Sequence, residues 1–113
     1  MDTTSNAVQP DIIVILTANE GYSKPDGHFY GVPDLIVEIL SPGNKEHDLV
    51  KKKDLYERFG VTEYWIVDPQ TKISLGYCLQ DTRYVKIGEE KNKIPFKLLN
   101  LTILFWLYTR IPA

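Results

Sequence analysis

An α/β fold is predicted by three features of this chain: a near-continuous apolar run at 34–40, an amphipathic helical pattern over 48–59, and a second apolar run at 61–67. Strand, helix, strand in that order makes a crossover unit. Its 113 residues suffice for one compact domain, taken as 1–113. Hydrophobic residues at 43% and charged residues at 25% are close to the globular average, so the chain should fold rather than stay disordered.

The elements follow from local chemistry. Pro10 leads into a β-branched run at 11–16 that reads as a buried strand starting at an acid, Asp11. Residues 17–31 hold three glycines and Pro25 among polar residues, a connection long enough to be functional or lid-like and to contain a helical turn. The run at 34–40 is a central strand covered on both faces, closed by the turn residues Ser41-Pro42-Gly43-Asn44. The helix over 48–59 has Asp48 in its first turn and Gly60 at its C-terminal stop. The strand at 61–67 ends at Asp68-Pro69. Ile73, Leu75, Tyr77 and Leu79 alternate as a half-buried strand, with a hairpin partner over 83–87 after the turn Gln80-Asp81-Thr82. Beyond Pro95 the tail is apolar, and strand and short helix are equally compatible with so short a stretch.

Composition excludes several function classes. Fifteen acidic against thirteen basic residues leave a net charge of -2, so no global positive field draws the chain onto a polyanion, and any such partner is held by a local patch. The single cysteine, Cys78, excludes an internal disulfide and a multi-cysteine zinc site and fits a reducing compartment, with the cytoplasm as the expected location. The N-terminus lacks the basic and apolar regions of a secretory signal, and the longest apolar stretch, at 98–108, is too short to span a membrane.

Four polar residues break the pattern. On a helical wheel, Leu49, Leu55, Tyr56 and Phe59 share one arc with Lys52 near its centre, Lys53 at its edge, and Lys51, Asp54 and Arg58 on the solvent side. Either the Lys52 ammonium snorkels to water or a buried anion receives it. Glu38, in the middle of the preceding apolar strand, is a candidate anion, and pleating places Asp34, Ile36, Glu38 and Leu40 on one face. A structural salt bridge between Glu38 and Lys52 is one reading, and Asp34 could simply occupy the strand's exposed end. Asp11, at the head of the first strand, adds a third carboxylate. Together, acids on two strands and a lysine on the adjoining helix make an oxygen-rich site with one cation, suited to Mg²⁺ and to polarising a phosphodiester.

The text Val8-Gln9-Pro10-Asp11, then Gly31-Val32-Pro33-Asp34-Leu35-Ile36-Val37-Glu38-Ile39-Leu40-Ser41-Pro42, then Asp48 with Lys52 and Tyr56, then Gly60-Val61-Thr62-Glu63-Tyr64-Trp65-Ile66-Val67-Asp68-Pro69 resembles the PD-(D/E)xK nuclease superfamily. Within it the text is most similar to the restriction endonuclease family of Uma type. The resemblance covers roughly 8–80. It implies a restriction-endonuclease-like fold, a mixed β-sheet flanked by helices, and DNA hydrolysis dependent on Mg²⁺ or Mn²⁺. Asp11, Glu38 and Lys52 would be catalytic, Asp11 and Glu38 holding the metal and Asp34 a possible addition.

The standard motif places its lysine two residues after the glutamate, where this chain has Leu40; the family's helical lysine corresponds to Lys52. Only nine residues precede the Pro-Asp strand, where family members carry a helix and several strands. The sheet is therefore expected to be incomplete on its N-terminal side, and an unpaired edge of that kind favours a homodimer. A nuclease-like domain that no longer cleaves and serves as an interaction or dimerisation module is the alternative, and a purely structural α/β domain with a Glu38–Lys52 ion pair is a third.

The remaining signals are weaker. His28 and His47 read as loop residues, His47 being within possible reach of phosphate. The run Lys51-Lys52-Lys53 is either a solvated helix face or a track for a nucleic-acid backbone. Trp65 and Tyr64 read as core, and the tail at 98–107 as a core element or dimer contact.

Overall fold

The computed structural model describes residues 10–17, 31–40 and 46–105, the first three of the last segment by backbone alone. Their elements are β1 (Ile12–Val14), β2 (Leu35–Ile39), α1 (Glu46–Phe59), β3 (Glu63–Asp68), β4 (Ile73–Gln80), β5 (Arg83–Lys91), β6 (Lys93–Phe96) and β7 (Leu101–Leu104). The connection at 18–30 with His28, the turn at 41–45, the His47 side chain and the tail at 106–113 lie outside this description.

Five strands form one mixed sheet in the order β1-β2-β3-β4-β5, with β6 and β7 as a separate two-stranded ribbon. β2 and β3 are parallel, in register Leu35 with Glu63 through Ile39 with Val67, so α1 is the crossover between them. All other pairings are antiparallel. The α/β architecture is as expected, with α1 as the one helix among the described residues.

Both faces of β2 and β3 are covered, which is why their sequences read as continuous apolar runs. On one face Ile36, Tyr64 and Ile66 pack with Tyr56 of α1 and with Val61. On the other, Leu35, Val37, Trp65 and Val67 pack with Ile94 and Phe96 of the ribbon. The helix begins two residues earlier than the sequence indicates, and its wheel holds: Lys51, Asp54 and Arg58 are exposed, whereas Tyr56 is buried. Gly60 closes it at φ 84°, a left-handed conformation that glycine adopts without steric cost.

Trp65 explains two other glycines. Gly76 pairs with Trp65 across β3–β4 and with Gly88 across β4–β5. A Cβ built at Gly76 would meet the indole at 2.4 Å and one at Gly88 at 2.9 Å, so the ring lies flat on a glycine track. β5 runs to Lys91, beyond the Ile87 limit read from hydropathy, because it pairs with β4 as far as Ile73.

Two expectations change. β1 is shorter than 11–16 and leaves Ile12 and Ile13 exposed, at 47% and 42%, because among the described residues it pairs only with β2, at the edge of the sheet. The tail resolves in favour of strand: β6 turns through 97–100 into β7, and Ser74 Oγ donates to the Lys93 carbonyl at 2.6 Å to tie the ribbon to the sheet.

Candidate active site

The site assembles where β1, β2 and α1 meet. Glu38 points to the helix side of the sheet, as its parity with Ile36 requires, and is 3% exposed. A carboxylate so placed needs donors, and α1 supplies two from residues one turn apart. Lys52 Nζ donates to Glu38 Oε2 at 3.1 Å, and the Tyr56 hydroxyl donates to Glu38 Oε1 at 2.8 Å. Lys52 thus receives its inward-facing position from a buried anion, while 31% of its side chain still reaches solvent.

Asp11 lies just before β1. Ile12 pairs with Val37, so extending the antiparallel register by one residue sets Asp11 opposite Glu38. Its Oδ2 accepts a hydrogen bond from the Ile39 amide at 2.7 Å, fastening the acid to the residue beside Glu38. Asp11 is exposed and Glu38 is buried, so Asp11 marks the solvent side of the pair.

Asp34 stands at the other end of β2, four residues before Glu38, or roughly 13 Å along a strand. Its Oδ2 accepts from the Leu16 amide at 2.8 Å and its own amide donates to Val14 at 3.0 Å, so it stitches the exit of β1 to the entry of β2. Of the four residues singled out in the sequence, the structure brings Glu38 and Lys52 together, sets Asp11 opposite Glu38 on the neighbouring strand, and places Asp34 at the other end of β2.

Tyr56 is the residue that sequence reasoning assigned to the core and not to the site. Its ring is fully buried, edge-on to Tyr64 at 5.1 Å, yet its hydroxyl serves Glu38. The available signal was its spacing of four from Lys52 on one helix face. Burial pushes the Tyr56 phenol far above its ordinary range, reinforced by the hydrogen bond to Glu38 and by that carboxylate's charge, with smaller contributions from Tyr64 and Asp11. Its hydroxyl is the donor to Oε1.

The donor chemistry fits a hard divalent ion. Mg²⁺ commonly takes one or two protein carboxylates and keeps several waters. Asp11 and Glu38 are two such carboxylates on adjacent strands, and a carboxylate has about four lone-pair sites, of which Glu38 directs one to Lys52 and one to Tyr56. No group of three or more His, Cys, Asp or Glu residues occurs among the described residues, so an all-protein cage is not offered there.

Comparison with known proteins adds to this geometry. The profile of the Uma2 family, described as "Putative restriction endonuclease", matches residues 2–103. The chain belongs to the Uma2 family. No curated protein sequence matches it. Among solved structures it is similar to "a putative nuclease belonging to DUF820" from Anabaena variabilis, with a TM-score of 0.64 and 22% identity, covering 86% of this chain. That likeness shows a shared fold. The Uma2 chain spans 56% of the length of that structure, just over half. No helix among its described residues is long and apolar enough to cross a membrane.

Proposed function

We propose that this Uma2 chain is a metal-dependent endonuclease that hydrolyses DNA phosphodiester bonds. The observation that carries the reading is the buried Glu38 carboxylate paired with Lys52 Nζ at 3.1 Å, beside Asp11 on the adjoining edge strand. Family membership supports the reaction class.

In this reading Asp11 and Glu38 hold Mg²⁺ or Mn²⁺, which when bound polarises the phosphodiester and lowers the pKa of a coordinated water. Lys52 is the catalytic cation. Its partly exposed ammonium is long enough to leave Glu38 Oε2 for a phosphate oxygen and to stabilise charge developing there. Tyr56 donates to Glu38 Oε1. Asp34 holds the exit of β1 against the entry of β2, at the far end of the strand pair from Asp11. DNA reaches the site from the exposed Asp11 side, and the reducing compartment that fits Cys78 makes the cytoplasm the natural location.

A second reading, a nuclease-like interaction module that pairs with a second copy, is favoured by one specific observation. Leu101, Ile103 and Leu104 of β7 are all exposed, at 52%, 43% and 66%. Oligonucleotide cleavage with Mg²⁺ or Mn²⁺ separates the two. The first predicts metal-dependent cleavage lost in Glu38→Ala and Lys52→Ala, with Asp11→Asn equally impaired. Cleavage unaffected by all three substitutions would reject the site, and an inert but dimeric chain in sedimentation analysis would favour the module.

A further inference from the structure

We infer that Tyr56 is the positioning residue of the site: its hydroxyl fixes the plane of the Glu38 carboxylate so that Oε2 is presented to the incoming metal. The inference rests on the metal-site reading above and goes beyond it by assigning a role to a residue that touches neither metal nor substrate.

The geometry distinguishes the two donors on Glu38. Lys52 reaches it through a long side chain that is 31% exposed, and the ammonium can rotate and exchange with water. Tyr56 is 0% exposed and its ring is clamped, edge-on to Tyr64 at 5.1 Å, while Tyr64 in turn stacks on Tyr77 and Tyr84 at 6.4 and 6.1 Å. The terminal torsion of a glutamate is broad and does not set the carboxylate plane by itself. With Oε1 tied at 2.8 Å to an immobile phenol, the plane is set by the helix, and Oε2 is the oxygen left facing the cation side.

Removing the Tyr56 hydroxyl takes from Oε1 its hydrogen bond at 2.8 Å and frees the carboxylate to turn, and partners of metal ligands typically change affinity by about 10–100-fold.

The test is Mn²⁺ binding to the full chain, followed by electron paramagnetic resonance of the free ion, for wild type, Tyr56→Phe and Glu38→Gln, with circular dichroism confirming that each is folded. Wild type should bind, Glu38→Gln should not, and Tyr56→Phe should bind roughly 10-fold more weakly. A folded Tyr56→Phe that binds as wild type does would overturn the inference while leaving the metal site standing. A wild type that fails to bind, or a Glu38→Gln that binds normally, would remove the metal site and this inference together. Because a truncated hydroxyl could disturb folding, a second readout uses the unaltered chain. The Tyr56 Cζ resonance, assigned through bonds in a tyrosine-labelled sample, should shift on adding Mg²⁺ while that of Tyr84, on the Val61 carbonyl, stays put. An unmoved Tyr56 signal at saturating Mg²⁺ would equally overturn it.

Discussion

Two buried glutamates, Glu38 on β2 and Glu63 on β3, lie on opposite faces of the same sheet and are satisfied in different ways. Glu63 is 0% exposed and accepts the Trp65 indole N–H at 2.6 Å and the amides of Lys97 and Leu98 at 3.0 and 2.7 Å. Two of its three donors are main chain and the third is a packed ring, none able to leave without unfolding the region. Glu38 is served by side chains alone, one of them a half-exposed lysine. A buried acid is thus no sign of a site by itself. Glu63 fastens the β6–β7 turn to the sheet, whereas Glu38 has a partner that can be exchanged for a ligand.

The sharpest way to break this contrast is to exchange the two acids' effects. Glu38→Gln should abolish cleavage and cost about 1 kcal/mol or less in urea denaturation, because its ion pair is partly solvated and the amide oxygen can still receive the Tyr56 hydroxyl. Glu63→Ala strands three donors and should lower stability by about 3–5 kcal/mol. If Glu63→Ala unfolded no more easily than Glu38→Gln, the assignment of anchor and site would be wrong. Lys52→Ala, which leaves Glu38 with Tyr56 as its donor and Oε2 without one, should lower the cleavage rate by roughly 10²–10³-fold and shift the melting curve down.

A similar comparison holds for the two faces. On the ribbon face, Gly76→Ala drives a methyl group into the Trp65 ring and should destabilise by about 2–4 kcal/mol, read from the denaturation midpoint. On the helix face, Tyr64→Phe removes a hydroxyl that is buried without a partner and should be neutral or stabilising by up to about 1 kcal/mol.

The smallest effect is the pH dependence of that face. Burial, the largest cause in each case, pushes the Tyr64 and Tyr84 phenols well above their usual range. The folded state holds both protons more tightly than the unfolded chain. Their contribution is therefore fully present below about pH 10, the ordinary tyrosine value, and is lost as pH rises above it. Stability should be flat with respect to these groups from neutrality to about pH 10 and then fall, less steeply in Tyr64→Phe.

The legible parts of this chain are those whose chemistry is local. The run at 34–40, the wheel of 48–59 and the stop at Gly60 all rest on neighbours in sequence, and β2, α1 and β3 follow them closely. Lys52 was conspicuous because a charge at the centre of an apolar arc demands an anion, and Glu38 provides it at 3.1 Å. Glu63 was not conspicuous, since its donors include backbone amides 34 and 35 positions away that carry no side-chain signature. Gly76 and Gly88 gave no warning either, for their meaning depends on Trp65 lying across both strands. β1 read as buried because hydropathy cannot distinguish an edge strand from a central one. Tyr56 hid in plain view: the wheel shows its buried ring and says nothing of where its hydroxyl points.

The central claim is that Asp11 and Glu38 form one metal site that Lys52 and Tyr56 serve from the helix. A crystal of the full chain soaked in Mn²⁺ and recorded at the manganese edge tests it most directly. The account predicts an anomalous peak about 2.1–2.3 Å from oxygens of both Asp11 and Glu38, with Lys52 displaced from Oε2 and Tyr56 still on Oε1. A fully occupied ion elsewhere, or none at saturating Mn²⁺ with the Lys52–Glu38 pair intact, would contradict it.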